Sequence, residues 1–187
     1  MTTRLLWFTP DRYQQLLNLA LERAPEEACG VLVGVTSHTG VASVEQLIMV
    51  DNIASDRHVS FRLDDAQFAR VVGRTVASDQ EIVGFFHSHP RGDSIPSRSD
   101  VALASYPDVP QIIVGLGHIS PTVAAWRIAY GAVSRLDIAV SDAAPVSSPQ
   151  DLSDFQKALI LISAALALLL VITLALALLP PAPEIPR

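Results

Sequence analysis

Residues 158 to 179 read ALILISAALALLLVITLALALL, twenty-two positions without a charge, a glycine or a proline. Nothing else in the chain limits its fold so strongly. A helix crossing a bilayer core needs about 20 apolar residues, and this run supplies them mainly as Leu and Ala, both strong helix formers. Pro180 and Pro181 then stop a helix, and PPAPEIPR follows. The alternative is a buried core helix, but such helices usually keep a polar stripe and this one is apolar all round. The reading is a transmembrane helix over 158–179 with a short tail over 180–187.

The other residues are enough for one ordinary domain. Half of the chain is hydrophobic, an average over two unlike regions, since residues upstream of the run have the mixed composition of a soluble α/β domain. The expected division is a domain over 1–140, a flexible Ser-, Asp-, Ala- and Pro-rich linker over 141–157, and the anchor. The formal net charge is −6, and Lys and Arg are nowhere clustered. Nucleic-acid binding leaves such a cluster, so that class is set aside. The single cysteine, Cys29, permits no intrachain disulfide and fits a reducing compartment. The N-terminus, MTTRLLWFTPDRYQQ, has too short an apolar stretch for a signal peptide. A single-pass, tail-anchored membrane protein with its domain on the cytoplasmic side is expected.

Along the domain, Thr9-Pro10-Asp11 marks a helix start, with Tyr13, Leu16, Leu17, Ala20 and Leu21 at helical spacing. Ala28–Val35 and Val41–Val50 read as strands, and His58–Leu63 as a third, short one. Asp64-Asp65 opens a helix with Phe68, Ala69, Val72 and Val76 on one face. Glu81–Ser88 is a strand stopped by Pro90, and Ser97–Ser105 a short helix. Val109–Leu116, Val123–Tyr130 and Val133–Val140 complete a strand-rich half, with Trp126 and Tyr130 on one packed face. Gly30 and Gly34 are expected where backbones approach closely. The pattern implies a layered α/β domain, a mixed sheet flanked by helices.

The chemistry is concentrated in His87-Ser88-His89-Pro90 and Ser97-Arg98-Ser99-Asp100. Histidines at i and i+2 on a strand face the same way, so both imidazoles can reach one metal ion. A loop of ten residues allows Asp100 to return to it. Two histidines and a carboxylate leave a fourth position for water, the pattern of catalytic zinc sites, and two imidazoles with one carboxylate suit zinc. Glu27 is the candidate base for such a water. Each residue also has a plainer reading. An isolated His-x-His occurs by chance, Ser97-x-x-Asp100 matches a helix capping box, and Glu27 could be a solvated acid. Cys29 is read as core packing, and His38, His58 and His118 as ordinary surface or core residues.

His-x-His, ten residues, Asp, with Ser three before the Asp and Glu27-x-Cys29-Gly30 upstream, resembles the JAMM (MPN-plus) metallopeptidase family in its bacterial form. Pro25–Gly34, Phe61–Asp64, Glu81–Phe86 and Pro96-Ser97 extend the likeness, which covers about Tyr13 to Ile128. It implies a JAMM-type, cytidine-deaminase-like domain holding one zinc ion per chain on His87, His89 and Asp100. Glu27, rather than its neighbour Glu26, would act as general base, and Ser97 would hydrogen-bond the developing oxyanion. The implied activity is hydrolysis of a peptide or isopeptide bond at the tail of a ubiquitin-like or sulfur-carrier protein. Such a tail would bind extended, adding a strand to the sheet. The alternatives are a catalytically silent MPN-type binding module tethered to the membrane and a hydrolase of small amides.

Overall fold

A computed structural model describes residues 3–145 and 154–177. The chain divides into two compact units, residues 1–146 and 147–187. In the first, chain order is β1 (Leu5–Phe8), α1 (Pro10–Arg23), β2 (Cys29–Thr36), β3 (Val41–Met49), α2 (Asp65–Val76), β4 (Glu81–His89), α3 (Arg98–Leu103), β5 (Gln111–Gly115), β6 (Thr122–Ala129) and β7 (Ala132–Val140).

The sheet is mixed, as expected, but it does not lie open between helical layers. Its strands close into a barrel in the order β1-β3-β2-β4-β5-β6-β7. The closing element is β1, which sequence reading took only as a short apolar stretch. Its residues LLWF pair in parallel with β3 on one side and β7 on the other. Closure removes the free edges of the sheet, so a substrate tail has no barrel edge to extend.

Two apolar clusters lie on opposite faces of the curled sheet. All seven strands contribute to the first, including Leu6, Phe8, Leu32, Phe86 and Ile112, and α1 adds Leu16 and Ala20. The second joins Val31 and Val33 of β2 and Phe85 of β4 to Val71 of α2. Adjacent residues such as Leu32 and Val33, or Phe85 and Phe86, thus serve different cores, as strand alternation requires. A bulge sets this phase in β4. Leu32 pairs with Gly84 but Val33 with Ile82, so Val83 is an extra residue. Val83 and Phe86, three apart, consequently share one cluster. An added residue turns everything beyond it to the other face, which places Phe85, His87 and His89 together on the side of α2.

Several local expectations are corrected. The buried positions of α2 are Val71 and Thr75, with Phe68 beside them, whereas Val76 is exposed. Residues 58–63 form no strand, and only an isolated bridge, Asn52 to Leu63, is made there. Tyr130 is 97% exposed and shares no packed face with Trp126. With φ of 53° at Tyr130 and 82° at Gly131, these residues make the tight turn whose twist suits a two-residue hairpin.

The second unit contains α4 (Asp154–Ala177), which begins four residues ahead of the expected span. Its side chains over 158–174 are exposed. Among the described residues, no helix is long and apolar enough to cross a membrane. Residues 146–153 of the linker, the end of the expected span at 178–179 and the tail at 180–187 lie outside the described residues.

A Cβ at Gly34 would stand 1.8 Å from the Ser43 carbonyl oxygen, whereas one at Gly73 meets nothing within 4 Å. Gly34→Ala should therefore destabilise the domain by about 1–3 kcal/mol in denaturant unfolding, the usual cost of overpacking. Gly73→Ala, inside α2, should instead stabilise it by about 0.5–1 kcal/mol.

Candidate metal centre

Strand β4 ends in the two histidines. His87 is fully buried and His89 partly so, both held in register by β5 through pairing of His87 with Ile113 and His89 with Gly115. Ser88, between them, faces the other way, where its Oγ accepts the Ala28 N–H at 2.9 Å. That bond ties the segment following Glu27 to the strand that carries the histidines.

Asp100 arrives from α3, and its position follows from helix capping. Ser97 is the N-cap, its Oγ accepting the Asp100 N–H at 3.1 Å. The Asp100 Oδ2 in turn accepts the Ser97 N–H at 2.6 Å. The capping box is therefore formed, and it holds the same oxygen that faces the histidines. Oδ2 lies 3.5 Å from His87 Nε2 and 3.3 Å from His89 Nε2, and the two Nε2 atoms are 3.1 Å apart.

This triangle can be tested against a metal. Zinc–ligand bonds of about 2.0–2.1 Å in a tetrahedron put neighbouring donor atoms about 3.3–3.4 Å apart. The three separations match that edge, and His87, His89 and Asp100 together form a group able to hold an ion. The tautomer of His89 also fits. Its Nδ1 lies 2.8 Å from the Asp93 carbonyl oxygen, which can only accept, so Nδ1 carries a proton and Nε2 is the nitrogen that would give its lone pair to a metal. His87 has no such partner among the described residues, where its buried Nδ1 is unbonded. Its ring is stacked instead on Phe61, with centroids 4.3 Å apart and planes at 22°. The donor set fits a zinc ion.

Electrostatics set the protonation of the group. Burial lowers the pKa of His87. For His89 burial opposes the charge, but hydrogen bonds to Asp100 and the Asp93 carbonyl prevail and raise it. The same histidines, against burial, hold Asp100 well below the usual carboxylate range. Glu27 differs. It is buried, and its Oε2 has no hydrogen-bond partner among the described residues. Burial chiefly, with Asp100 and Asp56 adding to it and His89 opposing, pushes its carboxyl up to about 7. Glu26 is paired outside with Arg57 at 3.6 Å.

The remaining candidates fall outside this group. Cys29 is buried, with its thiol 3.4 Å from the Val50 carbonyl oxygen, and burial pushes its pKa up to about 12. Such a thiol is core packing, not a nucleophile. His58 lies by Asp56 at the surface. His118 bonds the Asp93 side chain at 2.5 Å, touching the loop that orients His89 without joining the site. Trp126 steadies that loop by donating its Nε1–H to the Ser94 carbonyl at 2.8 Å. The loop also sits against Gly115, where a Cβ would meet Ser94 N at 2.5 Å. Asp93 had no functional signal in the sequence, because it acts by its backbone, and Phe61, which acts by ring stacking, entered only as part of the family likeness. Beside Asp100 opens a pocket of about 360 Å³, walled by Phe61, Leu63, Phe68, Phe85, Leu103 and Tyr106 among others.

A family model described as prokaryotic homologs of the JAB domain matches residues 10–129. The chain belongs to that family. Among relatives of this JAB domain, a desampylase of Haloferax volcanii is 32% identical over 111 residues, covering 57% of this chain and 78% of that protein. A CysO-cysteine peptidase of Mycobacterium tuberculosis is 30% identical over 135 residues, covering 72% and 90%. Solution structures of a Desulfitobacterium hafniense protein (TM-score 0.67, 24% identity, 74% of this chain and 94% of that one) and a Salinibacter ruber protein (TM-score 0.55, 28% identity, 75% and 95%) have a similar fold.

The raised pKa of Glu27 has a consequence for stability. Between about 4.5 and about 7 the folded, metal-free JAB domain keeps a proton that the unfolded chain has released. Stability therefore falls as pH rises across that window and stays lower above it. Metal-free Glu27→Gln should melt higher than wild type at pH 8 and equally near pH 4, as followed by thermal denaturation.

Proposed function

We propose that the chain is a zinc-dependent metallopeptidase that cleaves a peptide or isopeptide bond at the C-terminal tail of a ubiquitin-like or sulfur-carrier protein. The observation that carries this reading is the triangle of His87, His89 and Asp100 beside a buried Glu27 carboxylate oxygen that has no hydrogen-bond partner among the described residues. The two relatives, a desampylase and a CysO-cysteine peptidase, support the substrate class.

In this reading His87, His89 and Asp100 would hold the metal. Zinc held there would lower the pKa of a coordinated water toward about 7 and polarise the scissile carbonyl. Glu27, buried beside the triangle, takes a proton from the attacking water and returns it to the departing amine, the role of a general acid–base group. Ser97 Oγ, already accepting from Asp100 and 2.8 Å from Ser99 Oγ, directs its one proton to the substrate oxyanion, with Ser99 donating to it in turn. The tail lies extended between residues 60–63 and α3, along the pocket next to Asp100, since the barrel has no edge to offer.

The apolar segment 158–179 would hold this domain at a membrane. Support comes from its uncharged sequence and from the exposed apolar side chains of α4. Flotation of the full chain with liposomes, against a chain ending at residue 150, tests the anchor independently of catalysis.

The hydrolase reading predicts release of the amine from fusions that join the C-terminal tail of a ubiquitin-like or sulfur-carrier protein to an amino acid such as cysteine, with loss of activity on chelation. Asp100→Ala should lose both metal and activity. Ser97→Ala should keep its metal and turn over about 100–1,000-fold more slowly, the usual effect of removing one oxyanion donor. A zinc-loaded wild type that leaves every fusion intact yet cleaves small amides would move the assignment to a small-amide hydrolase.

A further inference from the structure

We propose that Asn52 is the positioning residue of this site, fixing the backbone of Glu27 and the ring of Phe61 through one buried side chain. The proposal rests on the hydrolase reading for the meaning of Glu27, but its structural half stands without it.

Asn52 follows β3 and is only 4% exposed. Its Nδ2 donates to the Glu27 carbonyl at 3.2 Å and to the Ser60 carbonyl at 3.0 Å. Its Oδ1 accepts the Ala54 N–H at 3.0 Å and the Arg62 N–H at 3.1 Å. A primary amide has two donor hydrogens and two acceptor lone pairs, so its whole capacity is used. The orientation is forced as well. A flipped amide would set its NH2 against two N–H groups and its oxygen against two carbonyls.

What Asn52 ties down are the two groups that cannot orient themselves. Glu27 Oε2 and His87 Nδ1 are the buried side-chain atoms without hydrogen-bond partners among the described residues. Glu27 is therefore placed by its backbone. Its N–H donates to the Arg57 carbonyl at 2.7 Å, and its carbonyl takes the Asn52 amide. His87 is oriented by the stacked ring of Phe61, and Phe61 sits between Ser60 and Arg62, both bonded to Asn52. The Ile53 N–H to Arg62 carbonyl bond, 2.8 Å, and the Asn52–Leu63 bridge close the same loop. His89 and Asp100 make no hydrogen bond to Asn52 among the described residues, so Asn52 acts on the base and, through the Phe61 ring, on the orientation of His87 alone among the ligands.

The test uses the full chain with Asn52→Ala and Asn52→Asp, the second keeping both accepted bonds and losing both donated ones. In metal-free protein, Asn52→Ala should speed exchange of the Arg62 amide and remove the ring-current shift that Phe61 imposes on the His87 ring protons. Asn52→Asp should retain the Arg62 protection. With zinc bound and a carrier-protein fusion as substrate, both variants should lose turnover on the order of 100-fold, the usual effect of a small misplacement of reacting groups. Zinc affinity should fall by much less than the about 10–100-fold that loss of a ligand's own hydrogen-bond partner costs. Wild-type turnover in folded Asn52→Ala, or full turnover in Asn52→Asp, overturns the proposal. If the wild type cleaves no substrate, the hydrolase reading fails, while the Arg62 and His87 signals still decide what Asn52 holds.

Discussion

The Asp100 carboxylate is engaged from two directions by the same oxygen. Oδ2 accepts the Ser97 N–H at 2.6 Å and faces both histidine Nε2 atoms at 3.3 and 3.5 Å. A six-residue helix could not hold a side chain firmly by packing, and α3 buries none of its residues. The capping box does so instead, converting a local helix-start preference into a fixed third corner of the triangle. The capping reading of Ser97-x-x-Asp100 is borne out, and the same bonds leave Asp100 where the metal reading needs it.

The other two corners depend on the barrel. His87 and His89 face the α2 side only because the extra residue Val83 resets the alternation of β4. Pairing with β2 and β5 on either side makes that strand rigid. The site is therefore mounted on regular structure at the ligand end and on a loop, 52–63, at the end that places Glu27 and Phe61. Sites combining a rigid support with an adjustable loop are common where substrates must enter.

Much of this was legible in the sequence where local rules act. The i, i+2 histidines, the capping signature and the Thr9-Pro10 helix start each depend on neighbours a few residues away. The failures came where distant partners decide. Strand β1 has four residues and becomes a strand only because β3 and β7 accept it, and without it the closed barrel could not be anticipated. Ala69 and Val76 fit a helical stripe on paper, yet the surface offered by β4 selects Val71 and Thr75. Asn52 looked unremarkable because its four bonds reach residues 27, 54, 60 and 62. Tyr130 was misplaced because turn geometry overrode alternation.

The central claim is that two imidazoles and one carboxylate hold a zinc ion, with Cys29 apart from it. Zinc K-edge X-ray absorption on the purified full chain tests it directly. The account predicts about one bound zinc per chain, with imidazole nitrogen and carboxylate oxygen at about 2.0–2.2 Å and no sulfur. A folded chain that retains no zinc, or a spectrum with a sulfur ligand near about 2.3 Å, would contradict it.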